Sequence, residues 1–235
     1  MYYPMYFDPT YFLVLIGVVL CMLASARVNS TYAKYDRVRN HAGITGAMAA
    51  EQILRQAGIY DVQVQRVRGK LTDHYDPSGK VLRLSDSTYG STSVAALGVA
   101  AHECGHAIQH ATHYAPLKIR GALVPVANFG SGIAWPLILI GLFMNGGMSA
   151  LLINLGILLF SAAVLFQIVT LPVEFNASSR ALRILNSSGM LYEDEVYQAG
   201  KVLKAAALTY VAGAASAILQ LLRLLILTGG RRNDD

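Results

Sequence analysis

Four long runs of apolar residues divide the chain, at positions 11–26, 123–144, 150–171 and 205–227. Each run is close to the about 20 residues that an α-helix needs to cross about 30 Å of hydrocarbon. The pattern therefore predicts a mainly α membrane protein with about four transmembrane helices. A polar region of domain size, residues 28–120, separates the first run from the second.

The first apolar run has the flanks of an uncleaved anchor. A cleaved signal peptide would carry positive charge before its apolar run, but the preceding residues MYYPMYFDPT contain none and include Asp8. Positive charge follows the run instead, at Arg27, Lys34, Arg37 and Arg39. This asymmetry predicts an anchor with its N-terminus outside the cell.

The polar region shows both helical and strand periodicity. Residues 43–58 have apolar positions at three-to-four spacing, and residues 61–68 alternate, so we expect a helix followed by a strand. LTDHY and KVLRLS flank the turn sequence DPSG and predict a short β-hairpin. The alanine-rich segment from Thr92 or Ser93 to about His113 predicts a helix of about five turns.

The amino-acid composition agrees with a membrane protein. The chain is 54% hydrophobic and only 14% charged, whereas about a quarter of the residues of a soluble domain are charged. The net charge of +5 is concentrated between the first two apolar runs, which positive-inside sorting explains, so we expect no nucleic-acid partner. Cys21 lies in an apolar run and Cys104 in the predicted five-turn helix, which makes a disulfide between them improbable.

That predicted helix contains the sequence His102-Glu103-Cys104-Gly105-His106. Residues four apart lie on one helix face, so His102 and His106 can both bind a single zinc ion at about 2 Å. Glu103 would lie beside the metal, where it can take a proton from a water whose pKa the zinc has lowered. This HExxH spacing is the signature of zinc peptidases. Cys104 faces away from both histidines, and we interpret it as a packing residue.

A catalytic zinc needs a third protein ligand, which leaves one position for water. His110 lies about 12 Å along the helix from His102, too far to share the ion. The metzincin pattern is excluded because its glycine and third histidine would fall on Gln109 and Thr112. Three residues of the predicted hairpin remain open as ligands: Asp73, His74 and Asp76.

Glu174 is the favoured third ligand. The second and third apolar runs, joined by the uncharged loop NGGMS, would form a hairpin through the membrane and return the chain to its starting side. Glu174 then emerges near the active helix, and the spacing of apolar residues in VEFNASSRALRIL places it at the beginning of a further helix.

The quoted segments also resemble a known family. LTDHYDPSGKVLRLS, SVAALGVAAHECGHAIQH, VEFNASSRAL and GMLYEDEV are similar to the YugP-like membrane zinc metallopeptidases of the neutral zinc metallopeptidase family. More distantly, the chain resembles the HtpX and Ste24 membrane peptidases. In HtpX-like enzymes the third ligand opens an ExxAD motif, which the resemblance maps onto Glu174 and Ala177. Ser178 replaces the aspartate that supports a ligand histidine in those relatives, which leaves that support unidentified.

Together these expectations define a small α+β, zincin-like catalytic domain with an HExxH helix and a β-hairpin. The chain would then divide into five parts. These are an anchor at 1–27, the catalytic region at 28–120, a transmembrane hairpin at 121–171, a helical segment with the third ligand at 172–204, and a last transmembrane helix with a tail at 205–235.

The leading functional hypothesis is a zinc-dependent endopeptidase of the cell membrane, with one catalytic Zn²⁺ and its catalytic region in the cytosol. Its partners would be the lipid bilayer and polypeptide substrates from membrane or membrane-adjacent proteins, and KVLRLS could offer a sheet edge to which a substrate adds. The alternatives are a site-2-type intramembrane protease and a non-catalytic zinc-binding scaffold. Arg223, inside the last apolar run, is expected to extend to the membrane interface.

Overall fold

A computed structural model describes residues 8–144 and 146–229. Within these residues the chain forms seven helices and three strands. In chain order they are α1 (Tyr11–Tyr35), α2 (Gly46–Gln56), β1 (Gln63–Val67), β2 (His74–Asp76), β3 (Val81–Ser85), α3 (Asp86–Tyr89), α4 (Val94–Ala111), α5 (Ala115–Phe143), α6 (Gly147–Ser187) and α7 (Glu193–Gly229).

Four of the described helices, α1, α5, α6 and α7, are long and apolar enough to cross a membrane. The predicted mainly α membrane fold with a small α+β region is therefore confirmed. The helices are longer than the apolar runs that predicted them. The third run was expected to end at residue 171, but α6 continues without interruption to Ser187, and the fourth run is the second half of α7.

The contacts between Cα atoms divide the chain into two compact units. Of the described residues, the apolar unit contains those up to Leu23, those within Ile119–Val169 and those from Tyr210 onward. The site unit contains Ala24–Lys118 and Thr170–Thr209. The helices α1, α5, α6 and α7 each contribute residues to both units.

The site unit contains a three-stranded sheet of order β1-β3-β2. β2 and β3 form the predicted antiparallel hairpin, with Tyr75 opposite Leu82, and β1 pairs in parallel with β3. Leu82 and Leu84 of β3 are completely buried. The expectation that KVLRLS offers a free edge is wrong, because β3 is hydrogen-bonded on both sides and only β1 and β2 are edges of the described sheet.

The core of the site unit surrounds α4. Ser93 caps this helix, since its Oγ accepts a hydrogen bond from the Ala96 amide at 3.1 Å and donates one to Asp36 at 3.0 Å. Small residues such as Ala100 and Ala101 are fully buried, so neighbouring elements approach the α4 backbone closely. The larger side chains packed in this core include residues of α2, β3 and α6, namely Ile53, Leu54, Leu82, Leu84 and Leu185.

The apolar unit contains an ion pair near the ends of two of its helices. Arg223 of α7 extends to the start of α1, where its Nη2 donates to Asp8 Oδ2 and its Nε donates to Thr10 Oγ1, both at 3.1 Å. The guanidinium also lies 4.3 Å from the ring centre of Tyr11. The arginine that the sequence places inside an apolar run is therefore paired with an acid at the beginning of the first span.

Candidate metal centre

The HExxH segment lies in the middle of α4, as its helical spacing predicts. The rings of His102 and His106 lie on one face of the helix, with centroids 4.8 Å apart and planes at 84°. Cys104 faces the core, with its Sγ 3.6 Å from the Ala50 carbonyl oxygen, and burial raises the pKa of its thiol. A buried thiol with a raised pKa is a packing residue, in agreement with the sequence interpretation.

The structure brings Glu174 to these two histidines. Its Oε2 lies 3.3 Å from His102 Nε2 and 3.6 Å from His106 Nε2, and its side chain is only 3% exposed. One ligand atom from each of the three residues falls within 4.8 Å of the other two. Among residues 8–144 and 146–229, this is the one group of three or more His, Cys, Asp or Glu side chains with the spacing of a metal site.

The three donor groups fit a zinc ion. Two atoms bound to zinc at about 2.05 Å and at tetrahedral angles lie about 3.3 Å apart, close to the observed separations of 3.3 and 3.6 Å. A set of two histidines and one glutamate is also a known ligand set of catalytic zinc, with the fourth position left for water. His102, His106 and Glu174 would therefore hold the ion.

A glycine allows α6 to approach the metal-binding face of α4. A Cβ atom placed on Gly105 would lie 2.6 Å from the Ala177 carbonyl oxygen and 3.1 Å from Ala177 Cα. Ala177 itself is completely buried. Because Glu174 lies one turn before Ala177, the contact between the Gly105 and Ala177 backbones brings the carboxylate to the histidines.

Glu174 reaches this position from the interior of a helix. The sequence placed it at the beginning of a separate helix after the third apolar run, but that expectation is wrong because α6 is continuous from Gly147 to Ser187. Pro172 lies inside the same helix. The carboxylate is thus fixed by helical backbone on both sides, which restricts its motion more than a helix terminus would.

The second ring nitrogen of each histidine contacts a polar side chain. His102 Nδ1 lies 3.1 Å from Ser178 Oγ, and His106 Nδ1 lies 3.0 Å from Gln109 Oε1. Such contacts orient ligand histidines and fix their tautomers. Ser178 therefore occupies the place that the ExxAD resemblance assigns to an acid, and a hydroxyl makes the contact instead.

Sequence reasoning did not identify either of these contacts. Gln109 follows His106 by three residues and Ser178 follows Glu174 by four, so each shares a helix face with a ligand. That spacing is the sequence signal from which both contacts could have been predicted. Gln109 was considered only as a mismatch to the metzincin pattern, and Ser178 only as the loss of an acid.

Acidic neighbours dominate the electrostatics around His106. Burial alone would lower its pKa, but the Glu174 carboxylate at 3.6 Å, the charge of Glu103 and the contact with Gln109 together raise the pKa above its ordinary value. Glu103 is 9% exposed, and no cation of the described residues lies within ion-pair distance of it. This surplus of negative charge favours the binding of a divalent cation.

The alternative third ligands lie elsewhere. Asp73 accepts hydrogen bonds from the amide and hydroxyl of Ser85 at 2.8 and 2.9 Å, and Asp76 binds the Ser78 and Gly79 amides of the hairpin turn at 3.0 Å. Two further histidines, considered as ligands from the sequence, have other partners: His74 contacts Thr72 and Arg83, and His110 Nδ1 lies 2.9 Å from the Tyr75 hydroxyl. None of these four is in the His102–His106–Glu174 group.

Comparison with known proteins agrees with this geometry. Residues 10–229 match the family model described as "Putative neutral zinc metallopeptidase". The chain is similar to the "Putative membrane protease YugP" of Bacillus subtilis (strain 168), at 49% identity over 224 residues, which cover 95% of this chain and 98% of the relative. No solved structure matches. The match over nearly the whole chain shows that this membrane protein belongs to the neutral zinc metallopeptidase family.

Proposed function

We propose that the protein is a zinc-dependent endopeptidase that hydrolyses peptide bonds of membrane or membrane-adjacent proteins. The observation that carries the proposal is the convergence of His102, His106 and Glu174 on one point, with Glu103 beside it on α4. The family membership and the name of the Bacillus relative support the same activity.

The proposed mechanism assigns a separate role to Glu103. Zinc, when bound, lowers the pKa of a water at its open position and polarises the scissile carbonyl. Glu103 takes a proton from the attacking water as the new C–O bond forms, and it then gives this proton to the nitrogen of the leaving amine as the C–N bond breaks. His102, His106 and Glu174 keep the ion in place and take no proton in this scheme.

The fold favours this proposal over intramembrane cleavage. A site-2-type protease would carry its HExxH helix within the lipid. In the part of the chain that the structure describes, the four helices suited to span a membrane are α1, α5, α6 and α7. α4, which carries the motif, is not among them.

We propose further that the site unit lies on the cytosolic side of the cell membrane. The basic residues close to the ends of the first two spans support this placement, because such residues concentrate in cytosolic loops. They are Arg27, Lys34, Arg37, Arg39, Lys118 and Arg120.

Metal analysis and cleavage assays on the purified full-length protein test the assignment of roles. We expect His102→Ala, His106→Ala and Glu174→Ala to lose zinc, because each removes one of only three protein ligands. Glu103→Gln should retain zinc and lose activity by about 10² to 10⁴-fold or more, since it removes only the proton acceptor. Metal content is measured by elemental analysis, and activity by cleavage of an unfolded membrane protein with and without chelator.

Glu51→Gln is the matched control, because Glu51 is an exposed acid of α2 in the same unit and its loss should change neither property. Unchanged zinc affinity in Glu174→Ala would contradict the ligand set. A Glu103→Gln protein with full biological activity would instead favour the non-catalytic zinc-binding scaffold, which needs no general base between its ligands.

A further inference from the structure

Gln109 occupies a central place in the site unit. It lies on α4 one turn beyond His106, and its side chain is completely buried. Its Oε1 lies 3.0 Å from His106 Nδ1, while its Nε2 donates to the Val173 carbonyl at 2.8 Å and to Asn176 Oδ1 at 3.0 Å. All the polar atoms of this amide are therefore used, and they link α4 to α6.

The hydrogen-bonding capacities of these groups fix the direction of the chain of contacts. Arg180 Nε donates to Asn176 Oδ1 at 2.8 Å, and a guanidinium has no acceptor, so the atom of Asn176 that faces it is an oxygen. That oxygen and the Val173 carbonyl can only accept hydrogen bonds, so the Gln109 atom that contacts both must be the nitrogen of its NH₂ group. The oxygen of Gln109 must then face His106 Nδ1.

His106 Nδ1 must consequently donate a hydrogen bond, because Gln109 Oε1 can only accept one. The neutral imidazole then has its proton on Nδ1 and its lone pair on Nε2, the atom that lies 3.6 Å from Glu174 Oε2. The opposite tautomer would place two acceptors against each other in a buried position, which is costly. The network selects the tautomer that binds metal through Nε2.

The same amide also acts on the third ligand. Val173, whose carbonyl accepts from Gln109, directly precedes Glu174 in α6. One buried side chain thus fixes the ring of His106 on one helix and the backbone next to Glu174 on the other. A residue that served only to fill space would need neither of these contacts.

We infer that Gln109 is a positioning residue of the metal site, which sets the tautomer of His106 and the distance between α4 and the turn of α6 that carries Glu174. The inference rests on the zinc site of the proposed function. Polar groups that orient ligand histidines typically change metal affinity about 10–100-fold when they are removed. We expect a change of that size for Gln109.

The experiment titrates Co²⁺ and Zn²⁺ into the metal-free, full-length protein in detergent. Gln109→Leu keeps the approximate volume and removes every hydrogen bond, so metal affinity should fall about 10–100-fold and the visible absorption bands of bound Co²⁺ should shift. Gln109→Glu keeps an acceptor facing His106 and should recover part of the lost affinity relative to Gln109→Leu.

Asn40→Leu is the matched control. Asn40 is a buried amide of the same unit that donates to the Ile44 and Thr92 carbonyls and contacts no ligand. This variant should unfold at a lower temperature with the metal affinity of the parent protein. Equal losses of metal affinity in Asn40→Leu and Gln109→Leu would overturn the inference, and so would parent-like binding by Gln109→Leu.

The parent protein provides a second measurement that does not depend on the folding of a variant. With ¹⁵N-labelled histidine, the NMR signals of His106 should show the proton on Nδ1 and the metal on Nε2. A proton on Nε2 would overturn the inference even where zinc is bound. A parent protein that binds neither metal would overturn the proposed function, and the inference with it.

Discussion

Gly105 decides how closely two helices meet at the metal centre, and it yields a residue-scale prediction. A Cβ at this position would lie 2.6 Å from the Ala177 carbonyl oxygen, and backbone cannot move aside as a flexible side chain can. Gly105→Ala should therefore destabilise the fold by about 1–3 kcal/mol and weaken zinc binding, because α6 must withdraw Glu174. Thermal unfolding and zinc titration measure the two effects.

Gly98→Ala is the control, since Gly98 lies on α4 two turns earlier. A Cβ at Gly98 would lie 3.4 Å from Ala199 Cβ, an ordinary contact, and alanine favours the helix over glycine by about 1 kcal/mol. This variant should be as stable as the parent protein or more so. Equal stability and zinc affinity in Gly98→Ala and Gly105→Ala would contradict the role assigned to the close approach.

At the residue scale, sequence alone brings candidate ligands together most directly where they lie within about one helical turn. His102 and His106 are four residues apart, and that spacing alone predicts a shared face. Glu174 is 68 residues beyond His106, and it was reached through an argument about the return of a membrane hairpin. Gln109 and Ser178 each act through contacts with residues on another helix or another turn. The sequence does not specify these contacts, so both residues were missed.

At the scale of secondary-structure elements, Glu195 fixes the start of α7. Its Oε2 accepts from the Tyr192 amide at 2.8 Å, the contact that a glutamate at the third helical position makes in a capping box. The carboxylate also accepts from the His41 amide at 2.8 Å and lies 2.7 Å from His41 Nδ1. The ring of His41 stacks on Tyr192 at 3.4 Å, so this group connects α7 to the segment after α1.

We predict that Glu195→Gln lowers the free energy of unfolding at neutral pH by about 1–2 kcal/mol, because it weakens charge-assisted hydrogen bonds at a buried helix start. Burial raises the pKa of Glu195, but the bonds from His41 and Tyr192 outweigh it and hold the pKa below its ordinary value. The native carboxylate therefore stabilises the fold above the ordinary glutamate pKa, and this contribution is lost as the pH falls through the lowered value.

Thermal unfolding of the parent protein and Glu195→Gln across a pH series checks this prediction. The difference between them should be largest near neutral pH and should shrink in acid. Glu193→Gln serves as the control, since Glu193 is an exposed acid in the same first turn of α7. A difference that stays constant with pH, or one that Glu193→Gln reproduces, would contradict the assigned role.

The sequence predicted the type of most elements, but it did not predict where some of the helices begin and end. Apolar runs identify only the portion of a helix that suits lipid, so the ends of α6 and α7 could not be read from them. The strand β3 has the alternation of a half-exposed strand in KVLRLS. Its central place in the sheet depends on β1, which pairs with it in parallel on the side opposite to the hairpin partner β2.

At the scale of the whole molecule, the contact between Arg223 and Asp8 joins the beginning of the first span to the last one. Arg223 is 15% exposed and Asp8 is 26% exposed at the side chain, so solvent shields the charges only in part. We predict that Asp8→Asn and Arg223→Met each lower the temperature of thermal unfolding. The double variant should lose less than the sum of the two, because both changes remove one interaction. Strict additivity in this double-mutant cycle would show that the pair contributes nothing.

The same ion pair bears on how the chain crosses the membrane. Asp8 precedes α1 and Arg223 lies near the end of α7, so their contact places these two ends together within the apolar unit. We expect α1, α5, α6 and α7 each to cross the membrane once, and an even number of crossings returns a chain to the side on which it started. We therefore expect the short connection between α5 and α6 on the side of Asp8, and the region between α1 and α5 on the other side.

From positive-inside sorting we expect the region between α1 and α5 in the cytosol and the Asp8 side outside the cell, and cysteine labelling in intact cells tests this expectation. In a variant without Cys21 and Cys104, we expect Gly147→Cys, at the connection between α5 and α6, to react with a membrane-impermeant reagent. Ser78→Cys, in the exposed turn of the site unit, should react only after the membrane is disrupted.

Both positions tolerate the change, since a Cβ at Gly147 meets no atom within 4 Å and Ser78 is already of similar size. The two variants control for each other, because a protein inserted in either orientation exposes one of them. Rapid labelling of Ser78→Cys with protection of Gly147→Cys would place the metal centre outside the cell and would contradict the proposed cytosolic location.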